Sequence, residues 1–527
     1  MNEQRGISKQ ALALALALFS GFLYPVGLAV PYAGITAFLV LLPLLIAISG
    51  KSPRHAFLLG LLMGGVANFI GHYWLIGTLT RFGGFYLPAS IIIHLFLSVF
   101  FGLMFGIGSW LTVVSGLTRR SGIVQGLAFA SIWTGLEFLY PFLFPYGLTN
   151  FLSEYVVLVQ VYDLLGMYLL SFVLYFVNFA IYTAVKALYE RRSFPAGTVI
   201  SSLALVVFVA LYGVWRIGAV DRLSALAPKI KIGIVQADFD TSEKKQPNEK
   251  AMVSRFRAMS EKLDAPDLVI WPETAVQSWV SSTSNFFGDD DGAFVPAMKG
   301  AYFLSGGLSY EVVPKLPGAD NPGRVDKYNM AFLSDYNGVI LGRYRKIKLL
   351  LFGEYLPFSN YFPAIKKLSP ASGDFTPGRV LSVLDIPEKG ARIGPLICYE
   401  DILPSFGRKF AAKGANILVN LTNDAWFGDS FEPYQHLKLA TARAVETRRY
   451  LVRSTNTGIS AVIDPVGRVV ERTNTFEEAT IETEVGLIKS QTLYTRVGDV
   501  FPWFCVVAGV LYSCYALFLR KYIGKGG

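Results

Sequence analysis

The chain has 527 residues, of which 53% are hydrophobic, 14% aromatic and only 16% charged, with a formal net charge of +10. Soluble domains carry about 25% charged residues, so this composition, with a mean hydropathy of +0.43, excludes a wholly water-soluble protein. The 48 basic and 38 acidic residues are too many for a chain immersed in lipid, and three cysteines (398, 505 and 514) exclude a disulfide scaffold.

No charge falls between Lys9 and Lys51, and Pro25 and Pro31 divide that run into two apolar spans. Further runs lie at about 56–80, 87–113, 122–143, 157–185, 196–215 and 500–519. Each reaches the roughly 20 residues that a helix needs to cross about 30 Å of hydrocarbon. This predicts an α-helical bundle of eight spans, seven before residue 220 and one after 499. The first run follows Arg5 and Lys9 as a secretory leader would, but apolar sequence continues beyond it, so it is expected to be a retained helix.

Lys and Arg in the short loops divide twelve on one side against Arg81, Arg216 and Arg222 on the other. The rule that basic loops stay inside puts both termini in the cytoplasm. The expected domains are then 1–222, a membrane domain of seven helices; 223–499, an external domain, which in a Gram-negative bacterium means the periplasm; and 500–527, an eighth helix with a cytoplasmic tail. Residues 1–222 account for +6 of the net charge and 500–527 for +3, leaving +1 outside. No basic face remains, and no nucleic-acid partner is expected. Glu137, Asp163, His72 and His94 fall within spans, where ionisable groups either serve a lipid path or bond helices together.

From residue 229 the pattern changes. Residues 229–239 alternate and then run apolar like a strand entering a core, 248–263 read as a helix, and 267–271 as a short buried strand. Strands follow at 302–309 and 328–334, with Asn337-Gly338 turning a hairpin into 339–344. Strands at 392–398, 415–420 and 451–454 alternate with helices at 401–412 and 433–449, and Asp464-Pro465-Val466-Gly467 turns a last hairpin. Strands alternating with helices, with hairpins among them, predict a layered α/β domain with two mixed sheets.

Three clusters place reactive side chains at the ends of predicted strands: Trp271-Pro272-Glu273, Tyr344-Arg345-Lys346 with Gly353-Glu354 beyond it, and Ile397-Cys398-Tyr399-Glu400. Ligands gather at the carboxyl ends of strands in such sheets. A free thiol is mostly protonated at neutral pH and needs a base within reach. Glu273 can take that proton if burial makes it a competent base. Lys346 offers a fixed charge to a tetrahedral oxyanion, with the backbone N–H of Tyr399 as second donor, and Glu354 can hold the ammonium in place. Each residue alone has a plain reading: a buried small thiol, a cap, one base among several. Their combination in this order points to acyl chemistry. His436 allows a rival Cys–His pairing, or a surface or packing role within its helix. No CxxC, HExxH or Walker-type loop occurs, so neither cofactor nor metal is expected.

Glu273, Lys346 and Cys398 resemble the Glu–Lys–Cys triad of the carbon–nitrogen hydrolase (nitrilase) superfamily. The segment Asn423-Asp424-Ala425-Trp426-Phe427-Gly428-Asp429-Ser430, then Gln435-His436 and Thr455-Asn456-Thr457-Gly458-Ile459, together with His55-Ala56-Phe57 and Tyr73-Trp74-Leu75, is similar to the bacterial apolipoprotein N-acyltransferase family. The chain departs from that pattern at Leu350-Leu351 and by lacking a Trp after Gln236, within 241–246.

The resemblance implies a nitrilase-like α-β-β-α sandwich and a two-step transfer. Cys398 takes an acyl chain from a membrane phospholipid, the sn-1 chain of phosphatidylethanolamine, and passes it to the N-terminal amine of a diacylglyceryl-cysteine apolipoprotein. Glu354, Tyr399 and Glu400 are the implied supporting residues, and a monomer is the expected state. Apolar residues at 349–352 and 358–362 form a lid or acyl channel, or ordinary core. Two readings compete: a membrane-anchored amidase with the same triad and water as acceptor, and a transporter or lipid sensor whose external domain only recognises.

Overall fold

The computed structural model describes residues 2–239, 249–314, 323–351, 353–355 and 373–523. The chain divides into two compact units, one of Met1–Ile76, Pro88–Gly218 and Val497–Gly527, the other of Gly77–Leu87 and Ala219–Arg496.

In the first unit, six helices among the described residues are long and apolar enough to cross a membrane: Lys9–Ala29, Pro53–Gly71, Leu87–Val114, Met167–Glu190, Ala196–Leu226 and Val500–Leu519. Two of the eight predicted spans fall short of that measure. The second is a 3-10 helix, Ala33–Phe38, followed by the seven-residue helix Leu42–Ile48, with Pro43 in its first turn. The fifth is the 17-residue helix Ile123–Leu139. Apolar residues precede Leu42 and, interrupted by Pro141 and Pro145, follow Leu139, so hydropathy alone does not mark either shortening.

Buried polar groups bond these helices to one another. Glu137 accepts from Ser171 Oγ at 2.6 Å, Tyr175 OH at 2.7 Å and the backbone N–H of Leu148 at 3.0 Å. Asp163 accepts from Tyr212 OH at 2.7 Å and Arg216 Nε at 2.6 Å. Of the two readings of these acids, interhelical bonding accounts for every contact just given.

The second unit contains two mixed sheets. The first has seven strands: β1 (Lys229–Gln236), β2 (Leu268–Ile270), β3 (Val276–Ser281), β6 (Tyr302–Val313), β7 (Arg324–Asp335), β8 (Ile340–Arg345) and β15 (Ala479–Gly486). Their order is β15-β1-β2-β6-β7-β8, with β3 also on β6. The second has six, in the order β14-β13-β12-β11-β10-β9: β9 (Leu384–Ile386), β10 (Ala391–Ile397), β11 (Ile417–Thr422), β12 (Leu451–Thr455), β13 (Ala461–Ile463) and β14 (Val469–Arg472). A small ribbon, β4 (Gly288–Asp289) with β5 (Gly292–Ala293), stands apart.

β1, β2 and β6 run parallel, as do β10, β11 and β12. Every residue of β11 and β12 is buried: both faces are covered, and the polar Asn420 and Arg453 within them are paired, Asn420 Nδ2 with the carbonyl of Cys398 and Arg453 with Asp401. The Glu249–Ser260 helix lays Met252, Phe256 and Met259 on the outer face of the first sheet, where Phe256 stacks on Trp271 at 5.0 Å. The Pro404–Ala412 helix sets Phe410 against Gly394 of β10 on the second sheet. Bonds such as Ser454 Oγ to the carbonyl of Ile270 join the sheets face to face, giving an α-β-β-α sandwich.

The predicted strands and helices of this unit fall where expected to within a few residues, except that the helix from 401 begins as a 3-10 turn, Cys398–Ile402. Gly338 adopts φ +83 in the β7–β8 turn, the left-handed geometry that an Asn-Gly hairpin requires. β3, β9 and β15 are additions. β15 reads ATIETEVG, with polar residues on its exposed side, and becomes a strand by pairing along all of β1.

Candidate active site

Glu273 lies three residues beyond β2, Lys346 directly beyond β8 and Cys398 directly beyond β10. All three, with Glu354, line one pocket of about 350 Å³. They are buried, at 5%, 2%, 7% and 8% exposure for Glu273, Lys346, Cys398 and Glu354. Two of the turns that carry them are strained: Cys398 has φ +56 and Thr274, just after Glu273, has φ +49. Non-glycine residues hold that conformation only where their surroundings over-determine it. Gly306 on β6 makes room for the Glu273 turn, since a Cβ there would lie 2.5 Å from the carbonyl oxygen of Pro272 and 2.6 Å from Glu273 Cα.

Lys346 Nζ donates to Glu273 Oε1 at 3.1 Å and to Glu354 Oε2 at 2.8 Å. Asn329 of β7 makes a second bridge, its Nδ2 donating to Glu273 Oε1 at 2.7 Å and Glu354 Oε1 at 2.9 Å. Glu354 also accepts from the backbone N–H of Leu350 at 2.8 Å. Among the described residues, the carboxylate of Glu273 is therefore held through Oε1, while Oε2 is buried without a hydrogen-bond partner. A buried orphan acceptor beside a thiol is costly to leave unmade, and is suited to receive a proton.

The electrostatics agree with that division. Burial pushes the Cys398 thiol well up and Glu273 adds to this, against a pull from Lys346 in the other direction. The resting thiol is neutral, so ionisation has to be coupled to a base. Burial alone would lower the Lys346 pKa, but the carboxylates of Glu273 and Glu354, joined by Cys398 whenever it is a thiolate, hold it well above its ordinary value, and Lys346 stays an ammonium.

Tyr399 and Glu400 serve differently from the pocket residues. Tyr399 donates its hydroxyl to the carbonyl of Leu349 at 2.9 Å, and its N–H lies in the first turn of the 3-10 segment, where intrahelical partners are lacking. Glu400 Oε2 accepts from Tyr344 OH and from the N–H of Ile397, both at 2.9 Å. Its Oε1 accepts from the N–H groups of Ile347 at 2.8 Å and Lys348 at 2.9 Å. Glu400 thereby ties the thiol turn to the chain just after Lys346.

Burial raises the Glu400 pKa from 4.5 to about 7, with the backbone donors of Lys348 and Ile397 opposing. A raised folded value means that its contribution to stability is complete below about pH 4.5 and is lost as pH rises through about 7. The shift corresponds to about 3 kcal/mol. The thermal stability of the wild type is expected to fall between about pH 4.5 and pH 7; a Glu400→Gln protein, less stable throughout, loses that slope.

Sequence reasoning missed Asn329, which sits inside β7 with no motif around it; a lone amide in the run Tyr328-Asn329-Met330-Ala331 was the available signal. It also missed Phe82, which lines the pocket. Phe82 packs on Trp426 at 4.4 Å between ring centroids, and Arg81 Nη2 donates to the carbonyl of Phe427 at 2.8 Å. Leu350 lines the pocket and Leu349 is buried at 6%; residues 352 and 358–362 of the predicted lid lie outside the described residues, as do 241–246.

His436 is not on the surface and is not free to pair with Cys398. It is 4% exposed, and both ring nitrogens face carboxylates, Asp424 at 3.1 Å and Asp401 at 2.8 Å. Asp424, Glu432 and His436 together have the donor types of a cation site, but the guanidinium of Arg453 on Asp401 and Asp424 already supplies the positive charge there.

A buried Glu–Lys–Cys set at the strand ends of an α-β-β-α sandwich defines a carbon–nitrogen hydrolase domain, and the carbon–nitrogen hydrolase family model matches residues 231–493. The model of the apolipoprotein N-acyltransferase N-terminal domain matches residues 20–180. An apolipoprotein N-acyltransferase of Geobacter metallireducens is 33% identical over 524 residues, covering 96% of each chain. One of Azotobacter vinelandii is 31% identical, covering 91% of this chain and 90% of its own. Among solved structures, Saccharomyces cerevisiae Nit3 of the nitrilase superfamily is 21% identical with a TM-score of 0.35, covering 52% of this chain and 96% of its own. The chain belongs to the apolipoprotein N-acyltransferase family.

Proposed function

We propose that this protein is an acyltransferase that moves a fatty acyl chain from a membrane phospholipid, through a thioester on Cys398, to the N-terminal amine of a diacylglyceryl-cysteine apolipoprotein. The observation that carries the reading is the unpartnered Oε2 of Glu273 in the pocket that Cys398 and Lys346 share.

In the first half, Glu273 Oε2 takes the Sγ proton as sulfur attacks the ester carbonyl. The new oxyanion lies toward Lys346 Nζ and the N–H of Tyr399, donors each worth about 2.7–4 kcal/mol in such sites. Collapse breaks the carbon–oxygen bond, Glu273 returns the proton to the departing alkoxide, and a lysophospholipid leaves. In the second half the α-amine attacks the thioester, Glu273 takes a proton from nitrogen, and the carbon–sulfur bond breaks. The amide departs and Glu273 reprotonates the thiolate. Glu354, Asn329 and Glu400 position these groups. The pocket's lining, with Phe82, Leu308, Leu350, Phe375 and Trp426, is mainly apolar, which suits an acyl chain better than the small polar amides an amidase would take.

The finer reading is phosphatidylethanolamine as donor through its sn-1 chain, in a monomer of the bacterial inner membrane. Eight spans divide the chain into 1–222, 223–499 and 500–527, with residues 33–48 and 123–139 as the short crossings, both termini cytoplasmic and the catalytic domain periplasmic. The experiment is incubation of the purified full-length protein with phospholipid labelled in one acyl chain. Label on Cys398 that then passes to a diacylglyceryl-cysteine peptide supports transfer. Free labelled acid with none on peptide supports the amidase, and no label on protein defeats both.

A further inference from the structure

The clamp around His436 acts electrostatically on the nucleophile only through the charge of Asp424, which helps push the Cys398 thiol up, and it joins the two turns that build the pocket. Asp401 lies in the Cys398–Ile402 turn that carries the nucleophile. Asp424 opens the Asp424–Phe427 turn, where Ala425 and Trp426, with Asn423 just before them, form the opposite wall. His436, in the second turn of the Glu432–Thr447 helix, reaches both: Nε2 to Asp401 Oδ1 at 2.8 Å and Nδ1 to Asp424 Oδ1 at 3.1 Å. Arg453 of β12 braces the same pair, bonding Asp401 Oδ2 and lying 3.8 Å from Asp424 Oδ2.

A neutral imidazole has one N–H, and an ionised carboxylate only accepts. Two carboxylates on two ring nitrogens therefore call for the imidazolium. Burial opposes that charge, but Asp401 and Asp424 outweigh it against Arg453, and the His436 pKa rises to about 10. Glu432, one helical turn back with Oε1 3.9 Å from Nδ1, is driven well up by burial and by Asp424, and stays protonated. Thr422 Oγ1 completes the shell, 3.3 Å from Asp424. Two anions and two cations then balance in a dry interior, where removing one member leaves a buried charge unmatched.

We infer that His436 is a positioning residue for the nucleophile: by locking the Asp401 turn to the Asp424 turn it holds Cys398 in its strained conformation against the pocket wall, and so sets the rate of thiol acylation without contributing to phospholipid binding. The inference rests on the reading of Cys398 as nucleophile. The clamp also explains how a cysteine at φ +56 persists, because ion pairs fix its turn from behind.

The test uses the full-length protein and two variants, His436→Gln and Asp424→Asn/His436→Gln. Gln cannot bridge two carboxylates with two separate donors, and it leaves one negative charge unmatched. The double variant removes that charge and offers a neutral amide pair instead. Acylation from labelled phospholipid is measured per active site, counted by the burst of released lysophospholipid. For His436→Gln the expected result is an acylation rate about 10–100-fold lower at unchanged phospholipid KM, with partial recovery in the double variant.

Alkylation of Cys398 by iodoacetamide reads the same turn without lipid. Burial and the carboxylates of Glu273, Glu354 and Asp424 hold the thiol up, against Lys346. In His436→Gln the unmatched Asp424 charge keeps the pH midpoint high, while the alkylation rate at a fixed pH above about 8.5 is expected to rise severalfold as the loosened turn exposes the sulfur. A per-site rate and an alkylation profile equal to wild type would overturn the inference, as would additive losses in the double variant. A wild type that alkylates but takes no label would count against the acyltransfer reading alone, and the alkylation profiles still decide the role of His436.

Discussion

Cys398→Ala protein is expected to insert and fold normally yet to take no label from phospholipid and to transfer none to a diacylglyceryl-cysteine peptide, a loss of about 10⁴-fold or more. The side chain fills little volume, so the cavity left by one sulfur costs little stability. Its backbone conformation, φ +56, is as strained for Ala as for Cys. Single-turnover assays with labelled phospholipid, alongside thermal unfolding, check both halves of the expectation. Transfer at the wild-type rate by the alanine protein would remove sulfur from the mechanism and return the transporter or lipid-sensor reading to consideration.

Lys346→Met is expected to act on catalysis and stability together. The ammonium lies between Glu273 at 3.1 Å and Glu354 at 2.8 Å, and is itself 2% exposed. Met keeps most of the stem volume but leaves two buried carboxylates facing each other through Asn329. Their negative charges are then uncompensated, and breaking such a buried pair costs about 3–5 kcal/mol. Acylation is expected to fall by about 10³-fold as the oxyanion loses its fixed charge. A second substitution separates the effects. Lys346→Met/Glu354→Gln removes one unmatched carboxylate, so its unfolding midpoint is expected to recover while its acylation rate does not. Joint recovery of both would show that Lys346 acts on folding only.

Glu273, Lys346 and Cys398 were legible in the sequence because each follows an apolar strand and sits in a short distinctive motif: Glu273 after Trp-Pro, Lys346 after a hairpin strand, Cys398 after the run Pro395-Leu396-Ile397. Local pattern carries that information. Asn329 was not legible, since its importance arises from two carboxylates 56 and 25 residues away. The same holds for His436. Its helix was foreseen, but its burial depends on Asp401, Asp424 and Arg453 arriving from three other elements. β15 escaped because its Glu482 and Glu484 read as loop, and only pairing with β1 makes it a strand. In the membrane unit, hydropathy located every apolar run but not the helix ends, which at 33–48 and 123–139 are set by Pro43 and by packing.

The stretch Gly77–Leu87 belongs by contacts to the unit that holds the pocket, although in sequence it joins two apolar helices. Phe82 and Arg81 are thus stitched onto Trp426 and Phe427 from nearly 350 positions upstream. A truncated gene beginning at residue 219 would encode both sheets with Glu273, Lys346 and Cys398, yet would omit a strip of the chamber's lining. The two-sheet unit is for that reason indivisible along the linear map: no single continuous fragment free of Pro88–Gly218 carries it without leaving part of its own cavity behind.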